Sequence, residues 1–465
     1  MKYLIFIICL FSFGNLRAQT TVFWSAPVDV ASNNYGNYYP RIVSAGNGTM
    51  FVSWGGNDKA YISKLTGGAF SVPIMVNNTA TPAFTASWTG PELAARGDTV
   101  YCTFMHKIWK QKTYLIRSFD GGISFSVPVA LENYPDSTSR FPIVAIEPNG
   151  HPVVSFMKMD TNGVHPHYVV RQSTDFGSTF NNEKSVSSWQ GPMSEVCDCC
   201  PASIKSLENK VAVFYRNNIS NVRDIWAGVS TDNGTSFISG FAIDNNSWVI
   251  NSCPSSGPDG VIIGDSLYAV FLSGSKSYLS RSSLTAASLN AVSQLGPMGG
   301  NNQNFPRIDN QGNKVAIVWK AAGLFMSYFN DITNVSSVIH DTISTASIGS
   351  GDVAIYNNEI HVVWQDINSG AVKYSRGTLV PAAVNQVNQE AKLEIYPIPV
   401  TNILKLQTGL EIKSMRILNM LGEKMDVDYY GKKSINVSML AEGTYILDIE
   451  FQNGERANKT VVIKR

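Results

Sequence analysis

The feature that most constrains this chain is a short phrase that occurs three times. SFDGGISF at 118–125, STDFGSTF at 173–180 and STDNGTSF at 230–237 share one pattern. Each reads Ser, any residue, Asp, any residue, Gly, any residue, Ser or Thr, Phe. That spacing suits a tight hairpin turn. The Asp (Asp120, Asp175, Asp232) can accept hydrogen bonds from backbone N–H groups just ahead of it. The Gly (Gly122, Gly177, Gly234) takes a positive-φ position that a side chain resists. The closing Phe (Phe125, Phe180, Phe237) is expected to drop between layers. A turn recurring at roughly 50 residues marks a repeat architecture.

A longer unit surrounds the turn: a Pro or Gly, a few mixed residues, a turn, then an apolar strand ending in an aromatic. Copies begin at Pro40, Pro91, Pro142, Pro201, Pro258, Pro306 and Gly351. Alternation such as Val211, Val213, Tyr215 or Ile360, Val362, Trp364 marks strands. Seven units at roughly 45–60-residue intervals predict an all-β propeller, each unit supplying the two inner strands of a blade. Outer strands follow at FSVPIMV 70–76, FSVPVAL 125–131 and FISGFAI 237–243. The last unit lacks such a strand, whereas WSAPVDV at 24–30 precedes the first. The N-terminal strand is therefore expected to complete the last blade and remove the open edge. Few charged residues (15%) and abundant Gly (37 residues) fit many short strands and turns rather than helices. A formal net charge of +1, with no run of like charges, argues against a nucleic-acid partner.

The repeated turn resembles the Asp-box of sialidase-like (BNR) β-propellers. The resemblance implies a rim position for the turns, away from the active-site face, and six blades as the alternative to seven. It also implies three arginines on a substrate carboxylate, a Tyr activated by Glu as nucleophile, and an Asp as acid. Arg41 and Arg307, in the repeated Pro-Arg-Ile, and Arg216 are the candidate arginines. No Tyr–Glu pair is identifiable by spacing. Cys197 to Pro201, Tyr215-Arg216-Asn217, Arg223-Asp224-Ile225, Asp232 and Trp248 to Pro254 together resemble a group of uncharacterised secreted sialidase-like propellers.

Both ends of the chain carry export signals. Lys2, an apolar run from Tyr3 to Phe13 and a small residue at Ala18 read as a cleavable signal peptide over 1–18, too short to anchor. The propeller is expected over 20–378 and a polar linker over 379–391. The remainder, 392–465, is expected to be a small Ig-like β-sandwich. Tyr396-Pro397-x-Pro399, Asn419-x-x-Gly422, Leu440-x-x-Gly443-x-Tyr445 and the basic end Lys464-Arg465 resemble the type A C-terminal sorting domain of type IX secretion. That resemblance implies recognition by the outer-membrane translocon, and a secreted or surface-attached product.

In a propeller, connections from an outer strand to the next inner strand converge at the mouth of the ring. Two of them, 187–201 and 244–258, carry Cys197, Cys199, Cys200 and Cys253. Two readings stand: two disulfides pinning the loops, or a thiolate metal site. The Cys-Asp-Cys-Cys spacing and an oxidising compartment favour disulfides and no cofactor, with Cys102 as a spare thiol. Carboxylates expected near the axis are Glu92, Glu195, Asp198, Asp224, Asp259 and Asp352. Glu92, Glu195 and Asp259 are the candidate acid and base; the alternative is that such groups cap backbone N–H groups at the pore. Trp88, Trp189 and Trp248 are placed to stack on sugar faces or to cover the core. His165 and His167 can chelate or lie in a solvated loop. Two functions follow: a glycan-acting or glycan-binding protein, a glycoside hydrolase of sialidase type if it is an enzyme, or a non-catalytic adhesion or protein-binding module.

Overall fold

The computed structural model describes residues 21–108, 112–132, 136–187, 195–296, 300, 302–334, 338–380, 393–420, 422–452 and 456–465. The expected signal peptide, Trp189 and nearly all of the linker lie outside them. The described residues are all-β, without an α-helix, and form two compact units on either side of residues 381–392.

Among the described residues, the first unit contains seven antiparallel sheets of four or five strands. Their innermost strands are Tyr38–Ser44, Glu92–Arg96, Ser137–Ile146, Ser203–Leu207, Asp259–Ile263, Asn304–Gln311 and Ile348–Tyr356. Each touches the next, and Ile348–Tyr356 touches Tyr38–Ser44, so the series closes on itself. Closure is also made by pairing. Thr21–Trp24 joins Val372–Val380 in register Thr21 to Val380, so the first strand forms the outer edge of the last sheet.

The sequence pattern explains why sheets stand face to face. Along Lys210–Asn218, Ala212 and Phe214 point into one interface, towards Leu267 and Phe271. Val211, Val213 and Tyr215 point into the opposite one, towards Val153 and Tyr168. Strands buried on both faces read as nearly continuous apolar runs, and period-2 alternation sorts the side chains between the two interfaces. Seven apolar clusters fill the seven gaps between sheets.

The three repeated turns join the third strand to the outer strand in successive sheets. In the middle one, Ser173 Oγ donates to Asp175 Oδ1 at 2.7 Å and accepts from Gly177 N at 2.7 Å. Asp175 also accepts from Thr179 N at 2.8 Å and Thr179 Oγ1 at 2.7 Å. These bonds hold the Asp175 carboxyl well below the usual carboxylate range. The same pattern surrounds Asp120 and Asp232. The glycines are at φ +73°, +84° and +73°, and the closing Phe125, Phe180 and Phe237 pack against the inter-sheet clusters.

The second unit consists, among the described residues, of a four-stranded and a three-stranded sheet around one core containing Leu404, Ile417, Leu447 and Phe451. The Asn419–Gly422 turn is closed by Gly422 N to Asn419 O (3.0 Å) and Glu423 N to Asn419 Oδ1 (2.9 Å).

A Cβ at Gly177 would lie 2.6 Å from Leu115 Cδ2 at a left-handed backbone. Gly177→Ala is expected to destabilise the ring by about 1–3 kcal/mol. Gly67→Ala, also at positive φ but with nothing within 4 Å, is expected to lose clearly less. Chemical-denaturation midpoints of the two variants check this.

Candidate functional site

The innermost strands present one unpaired edge to the axis, and the chain covers that edge with carboxylates. Asp352 Oδ2 accepts from Ile42 N at 2.9 Å, Asp259 Oδ2 from Ile308 N at 3.1 Å, and Asp309 Oδ2 from Ile355 N at 2.8 Å. Each bond links the innermost strands of neighbouring sheets. The arginines of the two Pro-Arg-Ile motifs meet these acids. Arg307 Nε lies 3.1 Å from Asp352 Oδ1 and 3.4 Å from Asp259 Oδ2, and its Nη2 is 3.8 Å from Glu92 Oε2. Arg41 Nε donates to Glu92 Oε1 at 3.2 Å. Tyr39 Oη donates to the same oxygen at 2.6 Å, with the Arg41 guanidinium 3.4 Å from the Tyr39 ring centroid.

The electrostatics follow from burial against pairing. Burial alone would raise Asp259; the charges of Arg307 and Lys205 and the N–H of Ile308 outweigh it and hold the carboxyl below its ordinary value. Burial would lower Arg307, yet Asp259, Asp352 and Glu92 raise it well above the usual guanidinium value. Burial pushes the Tyr39 hydroxyl up. Asp309 is different: burial raises it to about 6, against the opposing effect of Lys205.

This charged layer divides the axis. On the side where the innermost strands end, a cavity of about 540 Å³ reaches from Glu92, Asp259 and Arg307 past Lys205 and Asp309 to Arg96 and Tyr356. On the side where they begin, a recess of about 10 Å³ is lined by Tyr39, Trp88, Pro201, Pro258 and Phe305. Repeated bulges shape this side. The register shifts after Tyr38, Arg140 and Asn304 place Tyr39, Phe141 and Phe305, each preceding a proline, at φ +54°, +50° and +49°.

The cysteine connections lie beside Lys210–Asn218. Cys199 and Cys253 form a disulfide. Cys197 and Cys200 are buried free thiols, 3.4 Å apart, and Cys197 Sγ is also 3.4 Å from Cys199 Sγ. The reading of two disulfides is thus realised for one pair only. The sulfur of Cys197 accepts from Arg223 Nη1 at 3.0 Å. The Cys200 thiol first, then the backbone at Cys199 and the Arg223 and Arg216 charges, bring Cys197 down to about 6, while burial pushes Cys200 up.

The candidate residues therefore separate into two groups. Glu92, Asp259, Asp352, Arg41 and Arg307 converge at the axis. Arg216 does not join them. It is fully buried, with Nε and Nη2 on Ser256 O (3.2 and 3.1 Å), Nη2 also on Leu272 O (2.8 Å) and Nη1 on Arg223 O (2.5 Å). Its donors are engaged by backbone carbonyls, so it serves as a staple between connections. Asp224 Oδ1 accepts from Trp248 N at 3.1 Å, Trp248 lies under the Arg216 guanidinium, and Asp198 is exposed beside the disulfide. Glu195 pairs by its backbone with Asn218, at the end of a second strand rather than on an innermost one. Trp88 packs edge-on against Phe84 and Phe141. His167 Nδ1 lies 2.9 Å from the His165 carbonyl oxygen, and His165 Nδ1 lies 3.6 Å from Asp160 Oδ2, so the two rings have different partners. Spacing missed Tyr39, Lys205 and Asp309. The aromatic before Pro-Arg-Ile in both copies, and the i, i+2 relation of Arg307 to Asp309, were the available signals.

Comparison with known proteins decides the C-terminal unit. Residues 394–464 match the family described as the secretion system C-terminal sorting domain. The tail is a sorting domain. The chain is accordingly marked for export by type IX secretion, to the cell surface or the extracellular space. A curated relative, beta-agarase D of Zobellia galactanivorans, is 29% identical over 116 residues, 23% of this chain and 24% of that protein. The chain thus spans about a quarter of the length of that relative. Among solved structures, a polysaccharide lyase PL25 ulvan lyase is similar at TM-score 0.51 and 11% identity, covering 75% of this chain and 95% of that one. The Hadza microbial sialidase Hz136 is similar at TM-score 0.44 and 11% identity, covering 77% and 69%. The lyase likeness establishes the propeller fold.

Asp309 provides a pH test. Its folded-state value, about 6, lies above the ordinary carboxyl value, about 3.9. Its contribution to stability is full below the lower value and is lost as pH rises through the upper one. Asp309→Asn keeps an oxygen for Ile355 N. The variant is expected to be more stable than the parent at pH 8 by about 2 kcal/mol, with the gain gone by pH 4. Unfolding midpoints of both proteins across that range measure it.

Proposed function

We propose that this chain is an exported, sialidase-like (Asp-box) seven-bladed β-propeller that binds glycans rather than cleaving them. On this reading a signal peptide over 1–18 directs inner-membrane export, and an Ig-like sorting sandwich over 392–465 directs passage through the type IX translocon. A linker over 379–391 joins the sandwich to the ring. The single observation that carries the binding function is the engagement of the axial acids. Glu92, Asp259 and Asp352 sit in ion pairs with Arg41 and Arg307, and two of the three also hold backbone N–H groups. A general acid needs a proton to give at neutral pH, and a carboxyl held below its ordinary value, like Asp259, has none.

The ligand class follows from charge. Arg41, Arg96, Lys205 and Arg307 line the axial cavity together with Glu92, Asp259, Asp309 and Asp352, four cations against four acids. Sialoside recognition wants unpaired arginines for bidentate contact with a carboxylate, and here both axial arginines are already paired. A neutral saccharide suits the cavity better, and its volume is in the range of small-ligand sites. The lyase and agarase likenesses agree with a polysaccharide ligand.

One observation favours catalysis as a second reading. Asp309, at about 6 and beside Lys205 on the cavity wall, is the axial carboxyl suited to donate a proton.

A glycan array with the purified ring is expected to give binding to neutral polysaccharide fragments, with Lys205→Ala weakening it about tenfold. A fluorogenic sialoside assay beside it is expected to show no turnover. Hydrolysis of a neutral glycan that disappears in Asp309→Asn would establish the second reading instead. In a host with type IX secretion, deletion of residues 394–464 is expected to leave the ring in the periplasm, as judged by cell fractionation.

A further inference from the structure

The cysteine cluster holds more chemistry than a structural cross-link requires. Three sulfurs, Cys197, Cys199 and Cys200, lie 3.4–4.0 Å from one another in a buried pocket, and one of them is already half of a disulfide. The backbone fixes them there: Cys197 N donates to Arg216 O at 2.9 Å and Cys200 N to Cys197 O at 3.2 Å. The fourth sulfur residue, Cys253, is exposed and bonded to Cys199. Two buried guanidinium groups, Arg223 in contact and Arg216 behind it, favour an anion at Cys197. A nucleophilic thiolate at van der Waals distance from a disulfide sulfur, with a solvated leaving group, is the arrangement that thiol–disulfide exchange needs.

We propose that Cys197 is the nucleophile of an intramolecular exchange that trades the Cys199–Cys253 cross-link for a Cys197–Cys200 bond. In the first step Cys197 Sγ attacks Cys199 Sγ. The Cys197–Cys199 bond forms, the Cys199–Cys253 bond breaks, and Cys253 leaves with the electron pair as a thiolate that takes up the Cys200 proton. In the second step the Cys200 thiolate attacks Cys197 Sγ, forming Cys197–Cys200 and releasing Cys199 as a thiolate. One disulfide, one thiolate and one thiol are present at the start and at the end, so no external oxidant or reductant enters. The i, i+2 intermediate closes a small strained ring, which drives it forward to the i, i+3 bond or back.

The exchange alters the mouth locally. Trp248 and Ile250 stay held through Arg223 N to Trp248 O (2.8 Å) and Ile250 N to Asn221 O (3.1 Å), and Ser256 stays under Arg216. Only the exposed stretch around Asn251, Ser252 and Cys253 is untied from the 197–201 turn. The covalent state of the cluster thus sets the freedom of one segment beside Trp248, whatever ligand the ring binds.

The test uses the full chain produced in an oxidising compartment. The protein is incubated at a series of pH values, quenched in acid and alkylated, and its linked peptides are mapped by mass spectrometry. Both the Cys199–Cys253 and the Cys197–Cys200 peptides are expected, and in either isomer three of the five described cysteines, Cys102 among them, are free thiols. The rate of approach to their equilibrium should rise about tenfold per pH unit below pH 6 and level off above it. Cys197→Ser is expected to leave Cys199–Cys253 alone. Arg223→Met retains every cysteine; it should slow exchange at pH 6 about tenfold and move the bend in the profile upward. A single pairing at every pH overturns the proposal, as does a protein holding both bonds at once, or an Arg223→Met variant with an unchanged profile.

Discussion

The constraint on which the ring depends is the unpaired inner edge of its sheets. Circular closure covers the outer faces and uses the first strand to cap the last sheet, but innermost strands still present backbone N–H groups to the axis. Left bare and shielded from water, each would be costly. Asp352, Asp259 and Asp309 take three of them, each reaching from one sheet to the next. Acids gathered around one axis repel, so cations must come with them, and Arg41 and Arg307 sit where they neutralise most. The charged axis is thus a consequence of the edge.

The same logic bears on function. An ion-paired carboxylate that also holds a backbone N–H is a structural member, and using it as an acid would loosen two sheets. That is why the axial cluster, although rich in residue types associated with sugar chemistry, is read as a binding floor. The Tyr39–Glu92 contact illustrates the point: its atoms match a nucleophile and its activator, yet Tyr39 is only 3% exposed. Geometry without access does not make a catalytic pair. The open cavity instead lies towards the ends of the innermost strands, and the cysteine connections belong to the opposite side.

How much of this was legible depended on the range of each interaction. The Asp120, Asp175 and Asp232 turns could be read because every bond in them joins residues at most four positions apart. The strands could be read from alternation, and the sorting tail from short motifs of fixed spacing. The arginine staple could not be read, since Arg216 looked like the third member of a carboxylate clamp. Only the packed connections show that backbone carbonyls consume its donors. Likewise Cys199 chose a partner 54 residues away while Cys197 and Cys200, closer to each other in sequence, stayed unlinked.

The amino-acid sequence by itself determined the repeat, the all-β character, the turn chemistry and the export tail, because each is written in local spacing and in which face of a strand is apolar. Tertiary structure alone decided which charges share an axis, where the axial cavity lies, and which sulfurs are bonded. Those outcomes depend on distances between segments far apart in the chain, and such distances exist only once the sheets have closed into a circle.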